Sequence, residues 1–143
     1  MSKIDRSLKF LMNLAKVNAI LSRRFDKLSV HGISFSDFMI LYLLSESNDG
    51  KMRRVDLAEK IGLTSSGVTR MLVPLEKIGL IERELSQRDA RVSYARLTKA
   101  GKKLFEEAQV TAGDLAEEII SSSKIKKTKD LVDIVAELGG DIA

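Results

Sequence analysis

Hydrophobic positions in this chain switch from a helical to an alternating period at one point, and the two patterns meet just after residue 80. Over residues 57–80, LAEKIGLTSSGVTRMLVPLEKIGL, two helical stripes flank a short turn. Leu57, Ala58 and Ile61 form an apolar face that ends at Gly62, which can adopt the left-handed conformation that stops a helix. Thr64 or Ser65 can cap a second helix, with Val68, Met71, Leu72, Leu75 and Ile78 on one face and Ser65, Ser66, Thr69 and Arg70 on the other. Then the period shortens to two. Ile81, Arg83 and Leu85 alternate with Glu82 and Glu84, and Val92, Tyr94 and Arg96 alternate with Ser93, Ala95 and Leu97. With Gln87-Arg88-Asp89-Ala90-Arg91 between them, these segments predict a β-hairpin with a charged tip.

The flanks read as helices. Residues 3–29 place Ile4, Leu11 and Phe25 at seven-residue spacing, with Leu14, Leu21 and Leu28 three residues further on. Asn18 takes the remaining position of that stripe, where a buried amide can fix register between helices; at the stripe's edge it is simply solvated. Arg23, Arg24 and Lys27 fall on the polar side, and His31 and Gly32 end the predicted helix. Ser34, with Asp37 three positions later, opens a second helix with a near capping box. Phe38, Leu41, Tyr42 and Leu44 follow, and FMILYLL is apolar enough to be buried on more than one side, at the junction with the terminal helices. Asn48-Asp49-Gly50 signals a turn. After the hairpin, Thr98 can cap a long helix bearing Leu104, Phe105, Ala108, Ala112, Leu115 and Ile119, interrupted at Ser121-Ser122-Ser123. A last helix over residues 126–139 shows Leu131, Ile134, Val135 and Leu138 on one face. So short and one-sided a helix needs a partner surface. The terminal stripes together exceed what one small lobe can cover, which points to a dimer unless they pack within the monomer.

Pro74, the only proline, falls inside the second helix of the central pair. It removes the amide that would bond the Arg70 carbonyl, at a cost of roughly 3 kcal/mol in a helix interior, so a bend after Arg70 is expected. If the helix instead stops near Val73, the positions inferred for Leu75 and Ile78 shift.

The chemistry of these faces suggests nucleic acid. A short-chained polar face with one arginine can lie in a major groove, where hydroxyls reach phosphates or base edges and a guanidinium forks onto guanine. A hairpin directly after such a helix is a wing, and the arginines flanking Asp89, Arg88 and Arg91, suit an arm entering a narrow minor groove. The blander alternatives are a solvated helical hairpin and a charged turn. Lys51, Arg53 and Arg54 precede a helix predicted to start near Val55, whose amides would face phosphate; otherwise they form a solvated basic loop. Charge distribution favours the first view. Residues 51–103 hold 13 Lys/Arg and 6 Asp/Glu, a balance of +7, whereas the remainder holds 11 and 14, a balance of −3, within a net charge of +4.

The run of matching segments resembles the MarR family of bacterial transcription regulators almost end to end. They are Leu57-Ala58, Val68-Thr69-Arg70, Leu75-Glu76-Lys77, Gly79-Leu80-Ile81-Glu82-Arg83, Asp89-Ala90-Arg91 and Leu97-Thr98-Lys99-Ala100-Gly101. The resemblance implies a mainly α chain with a small β-hairpin wing: a winged helix-turn-helix lobe over residues 33–100, and dimerisation helices in residues 1–30 and 101–143. It implies a homodimer on double-stranded DNA, acting as a repressor on a pseudo-palindromic operator. Recognition residues would be Thr64, Ser65, Ser66, Thr69 and Arg70, wing residues Arg88, Asp89 and Arg91, and phosphate contacts Lys51, Arg53 and Arg54. It also suggests a small-molecule effector pocket where the dimer helices meet the lobe, for which Phe25, Phe38, Tyr42 and Phe105 are candidates, although aromatics there are more often core.

Other classes find little support. The chain has no cysteine, which excludes a disulfide framework, a thiolate zinc site and a cysteine nucleophile, and its single histidine, His31, reads as a turn residue rather than a metal ligand. No cofactor or metal is expected. There is no nucleophile paired with a histidine base and no glycine-rich phosphate loop, so an enzyme is not expected. The N-terminal segment lacks the apolar core of a signal peptide and no uncharged run approaches a membrane span, giving a cytoplasmic protein as the expectation. The remaining rival is a winged-helix module that binds protein instead of DNA, which should show a neutral or acidic recognition face.

Overall fold

The computed structural model describes residues 5–142; Ile4 of the predicted N-terminal stripe lies outside them. In chain order the elements are α1 (Arg6–Arg24), α2 (Phe35–Ser45), β1 (Lys51–Arg53), α3 (Arg54–Ile61), α4 (Ser65–Lys77), β2 (Ile81–Leu85), β3 (Ser93–Leu97), α5 (Lys99–Ile119), α6 (Ser122–Ile125) and α7 (Lys129–Glu137). The three strands form one antiparallel sheet in the order β1-β3-β2. The fold is mainly helical with a small winged sheet, as the periodicities predict. No helix among the described residues is long and apolar enough to cross a membrane.

Local chemistry sets most boundaries. Ser34 accepts from the Asp37 amide while Asp37 accepts from the Ser34 amide, completing the capping box at the head of α2. Gly62 ends α3 at φ +78°, and the Leu63 amide returns to the Ala58 carbonyl. The Thr64 hydroxyl then caps α4 on the Gly67 amide at 3.1 Å. Thr98 caps α5 in the same way and also donates to the Gly79 carbonyl at 2.6 Å, tying the start of α5 to the end of α4. Gly101 is obligatory here, because a β-carbon would collide with the Leu80 carbonyl oxygen.

The core is one cluster. Ile40, Leu41, Leu43 and Leu44 of α2 lie at its centre, with Leu57, Val68, Leu72, Leu75, Ile81 and Ala95 on one side and Phe105, Ala108 and Leu115 of α5 on the other. α2 is thus buried on more than one face, between the helix-turn-helix with its sheet and the long helix α5.

Four expectations are corrected. The N-terminal helix does not run to residue 29: α1 stops at Arg24, and a 3₁₀ turn, Asp26–His31, follows, ending at Gly32 with φ +76°. Phe25 and Leu28, read as a continuation of the stripe, instead turn into the core, whereas no residue of α1 is buried within the single chain and Asn18 is exposed. Residues 51–53 are not a loop but an edge strand paired with β3. The long helix does end before the serines at 121–123, but the last helix does not start at residue 126: Ser121 caps the short α6, and α7 begins only at Lys129. Ile78 is 59% exposed, whereas Leu80 and Ile81, which follow it, are buried. Pro74 does not stop α4, which continues to Lys77.

Candidate nucleic-acid interface

Ser65, Ser66, Thr69 and Arg70 are all exposed on α4, opposite the buried Val68, Leu72 and Leu75, so helical phase alone brings them to one face. Their hydroxyls are not equivalent. Thr69 donates its proton to the Ser65 carbonyl at 3.0 Å, and Thr64 already accepts from Gly67 and lies 3.3 Å from the Ser66 hydroxyl. Thr69 therefore faces outward as an acceptor with a methyl group, while Arg70 supplies donors only.

The wing tip, between Leu85 and Ser93, is a closed hydrogen-bonded turn. Ser86 donates its amide to the Val92 carbonyl, and its hydroxyl accepts from the Arg88 and Asp89 amides at 3.2 and 3.3 Å. Asp89 Oδ1 accepts from the Arg91 amide at 3.0 Å and from Arg91 Nε at 3.1 Å, and Asp89 Oδ2 accepts from Arg91 Nη2 at 3.3 Å. One carboxylate thus forms the turn and holds the guanidinium. The Arg91 side chain nonetheless stays 91% exposed, projecting from the tip. Its fork and its amide hold the Asp89 carboxyl below the ordinary carboxylate range, so the pair is intact at neutral pH.

The basic residues ahead of α3 separate. Arg53 is exposed. Lys51 lies 3.5 Å from Glu84 and 4.8 Å from the centre of the Tyr94 ring. Arg54 donates to Glu76 at 2.9 Å and keeps only 15% of its side-chain surface. Glu84 also accepts from Arg96 Nε at 2.8 Å, and Arg96 reaches the Asp49 carbonyl at 2.9 Å. The Arg96 guanidinium, with Lys51 nearby, holds the Glu84 carboxyl below its usual range. Sequence reasoning passed over Glu76, Glu84 and Arg96. Lys51 and Arg96 stand directly opposite across β1 and β3, with Glu84 one diagonal step away on β2. That signal appears only once β1 is known to be a strand.

Phe25, Phe38, Tyr42 and Phe105 do come together, but as a stacked run joined by Phe35, with ring centres 3.9 Å apart for Phe25–Phe35 and 5.2 Å for Phe38–Phe105. Phe25 and Phe105 are buried in it; Tyr42 alone of the four borders the cavity of about 300 Å³ that Met52, Lys60 and Ile142 help to line. His31 Nε2 lies 2.8 Å from the Thr111 hydroxyl, a bridge from the 3₁₀ turn to α5. No cluster of three or more His, Asp or Glu side chains suited to a metal occurs among the described residues.

The sequence model of the MarR family matches residues 33–93. The HTH-type transcriptional regulator FarR of Neisseria gonorrhoeae is 32% identical over 109 residues, covering 74% of this chain and 73% of that protein. The structure superposes on the transcriptional regulator BldR of Sulfolobus solfataricus with a TM-score of 0.80 at 26% identity, over 96% of this chain and 97% of the other. It superposes equally on Sco3205, a MarR family regulator of Streptomyces coelicolor crystallised with DNA, with a TM-score of 0.79 at 21% identity, over 96% and 90% of the two chains. These are transcriptional regulators rather than enzymes, and the chain belongs to the MarR family of DNA-binding transcription regulators.

Proposed function

We propose that two copies of this chain bind a pseudo-palindromic operator and repress transcription from it, each placing the N-terminal half of α4 in the major groove and its wing in the adjacent minor groove. The observation that carries this reading is the shared exposure of Ser65, Ser66, Thr69 and Arg70 on α4, in a chain whose wing exposes Arg91 from a hydrogen-bonded turn. Arg70 has the donors to fork onto guanine, and Thr69 the acceptor and methyl group suited to an amino group or a thymine methyl. An exposed arginine loses side-chain freedom when a groove fixes it; Asp89, by holding the guanidinium beforehand, lowers that loss. The exposed Arg53, Arg70 and Arg91 speak against a module devoted to protein partners alone, which would show a neutral or acidic face.

Pairing of two chains is supported by the uncovered apolar surface at both ends. Leu11 and Leu8 of α1 are each 48% exposed and Ile134 and Leu138 of α7 are 41% and 54% exposed. The two helices border a common apolar cleft through Phe10, Leu11, Ile134 and Leu138. A second copy would cover these faces by two-fold symmetry and space two α4 helices for half-sites about 10 to 10.5 bp apart. In this arrangement residues 33–100 serve as the DNA-binding lobe and the terminal helices as the dimer scaffold. Control by a small molecule would enter at the Tyr42 cavity, since Phe25 and Phe105 are closed into the core.

The test is DNA affinity against salt concentration, with a duplex selected by the protein from a random library and an unselected duplex. Arg70→Ala is expected to lose discrimination at particular base pairs, whereas Arg53→Ala weakens both duplexes alike and lowers the slope of log affinity against log salt by about one unit. An equal loss on both duplexes for Arg70→Ala would remove its assignment, and binding that ignores salt would remove the DNA reading altogether.

A further inference from the structure

Arg54 stands at the head of α3, where a phosphate contact was expected, yet its guanidinium is turned to the other helix of the pair. Arg54 Nη1 donates to Glu76 Oε1 at 2.9 Å, joining the first residue of α3 to the last turn of α4. Both side chains are withdrawn from water, to 15% and 27% of their exposed surface. The rest of the contact between α3 and α4 is an apolar seam of Leu57, Ala58, Val68, Leu72 and Leu75. Apolar burial is non-directional, so such a seam fixes the angle between two helices less sharply than a charge-assisted hydrogen bond does.

The need for a directional contact is greatest in this part of α4. Pro74 has no amide to offer the Arg70 carbonyl, so the turn linking the outward-facing half of α4 to the segment bearing Glu76 has one backbone bond fewer. At 1.5 Å per residue, Glu76 lies about 9 Å along the axis from Arg70. A change of helix angle at Glu76 therefore moves the other end, where useful hydrogen bonds occupy a window of only a few tenths of an ångström.

We propose that Arg54 is a positioning residue rather than a phosphate ligand: through Glu76 it sets the angle at which α4 presents Ser65, Ser66, Thr69 and Arg70, and so governs selectivity more than affinity. Its exposed neighbour Arg53 keeps the phosphate role. The inference rests on the reading that α4 binds DNA, and the experiment separates the two.

The affinity of the full chain for the selected and the unselected duplex is measured against salt for wild type, Arg54→Gln, Arg54→Lys, Glu76→Gln and the Arg54→Gln/Glu76→Gln double variant. The expected result is a loss of about tenfold on the selected duplex for either Gln variant, with the double variant no worse than either alone. Affinity for the unselected duplex should stay within about threefold and the salt slope should not change. Arg54→Lys keeps the charge but not the planar group that seats Nη1 on Glu76 Oε1, so it should lose selectivity at an unchanged slope. The proposal is overturned if Arg54→Gln lowers the slope by about one unit and weakens both duplexes equally while Arg54→Lys behaves as wild type. Variants that melt like wild type yet leave selectivity untouched would overturn it as well. A wild-type chain with no salt-dependent DNA binding would overturn both this inference and the reading beneath it.

Discussion

α4 and α1 are both amphipathic helices, and within one chain they meet opposite fates. α4 buries Val68 and Leu72 completely and leaves Leu75 at 2% exposure, whereas α1 buries nothing and leaves Leu8, Leu11 and Met12 at 48%, 48% and 54%. The difference lies in the neighbours. α4 closes on α3 and β2 of its own chain, so its polar face is free to meet a ligand. α1 packs only Leu21 against the core and leaves the apolar positions of its first half exposed beside the cleft it shares with α7, the kind of surface a partner would cover. The chain thus completes the part that would read DNA and leaves open the part that would set the distance between two readers.

Substitutions should divide along the same line. Leu72→Ala leaves a cavity in the core and should cost about 2–5 kcal/mol of folding stability in urea denaturation. Gly101→Ala should cost on the order of 1–3 kcal/mol, because the collision with the Leu80 carbonyl outweighs the usual gain from alanine in a helix. Leu11→Asp should scarcely alter the stability of the core but should yield monomers in sedimentation, with operator affinity reduced by 100-fold or more as linked binding of two half-sites is lost. A Leu11→Asp chain as unstable as Leu72→Ala would show that α1 belongs to the same closed core after all.

Smaller effects are expected at the wing. Arg91→Ala should weaken operator binding more than Asp89→Ala does, and Asp89→Ala should matter only while Arg91 is present. An equal Asp89→Ala loss in both backgrounds, or a gain in wild type, would leave Asp89 as a turn former alone. The sign of the pH effect follows from the lowered Asp89 pKa: pairing with Arg91 is complete above the ordinary carboxyl value of about 3.9 and is lost as pH falls through the lower folded value. Carboxyl NMR should place the Asp89 midpoint below 3.9, and Arg91→Ala should raise it.

Sequence periodicity carried the parts of the structure whose partners are near in the chain. The Gly62 stop, the Thr64, Thr98 and Ser34 caps, the polar face of α4 and the hairpin were legible because each is set by residues within a few positions. β1 was not, because its three residues, Lys51-Met52-Arg53, are too few to establish a period and pair with Arg96, Ala95 and Tyr94 more than forty positions later. The same gap hid the partners of Lys51, and Glu76 lies 22 residues from Arg54, so a row of basic residues read as uniform divides into one exposed side chain and two held by carboxylates. The end of α1 was hidden for a different reason. Phe25 and Leu28 keep the i, i+3 spacing of the preceding stripe, and that spacing serves a 3₁₀ turn entering the core as well as a continuing helix.

Whether one chain completes the reading lobe while two are needed to engage an operator is decided by sedimentation velocity of a labelled selected duplex titrated with the protein. The expected result is a single complex of two chains per duplex, formed without an intermediate carrying one chain, and its loss when about 5 bp, half a helical turn, are inserted between the half-sites. A complex of one chain per duplex with undiminished affinity, indifferent to the insertion, would contradict it.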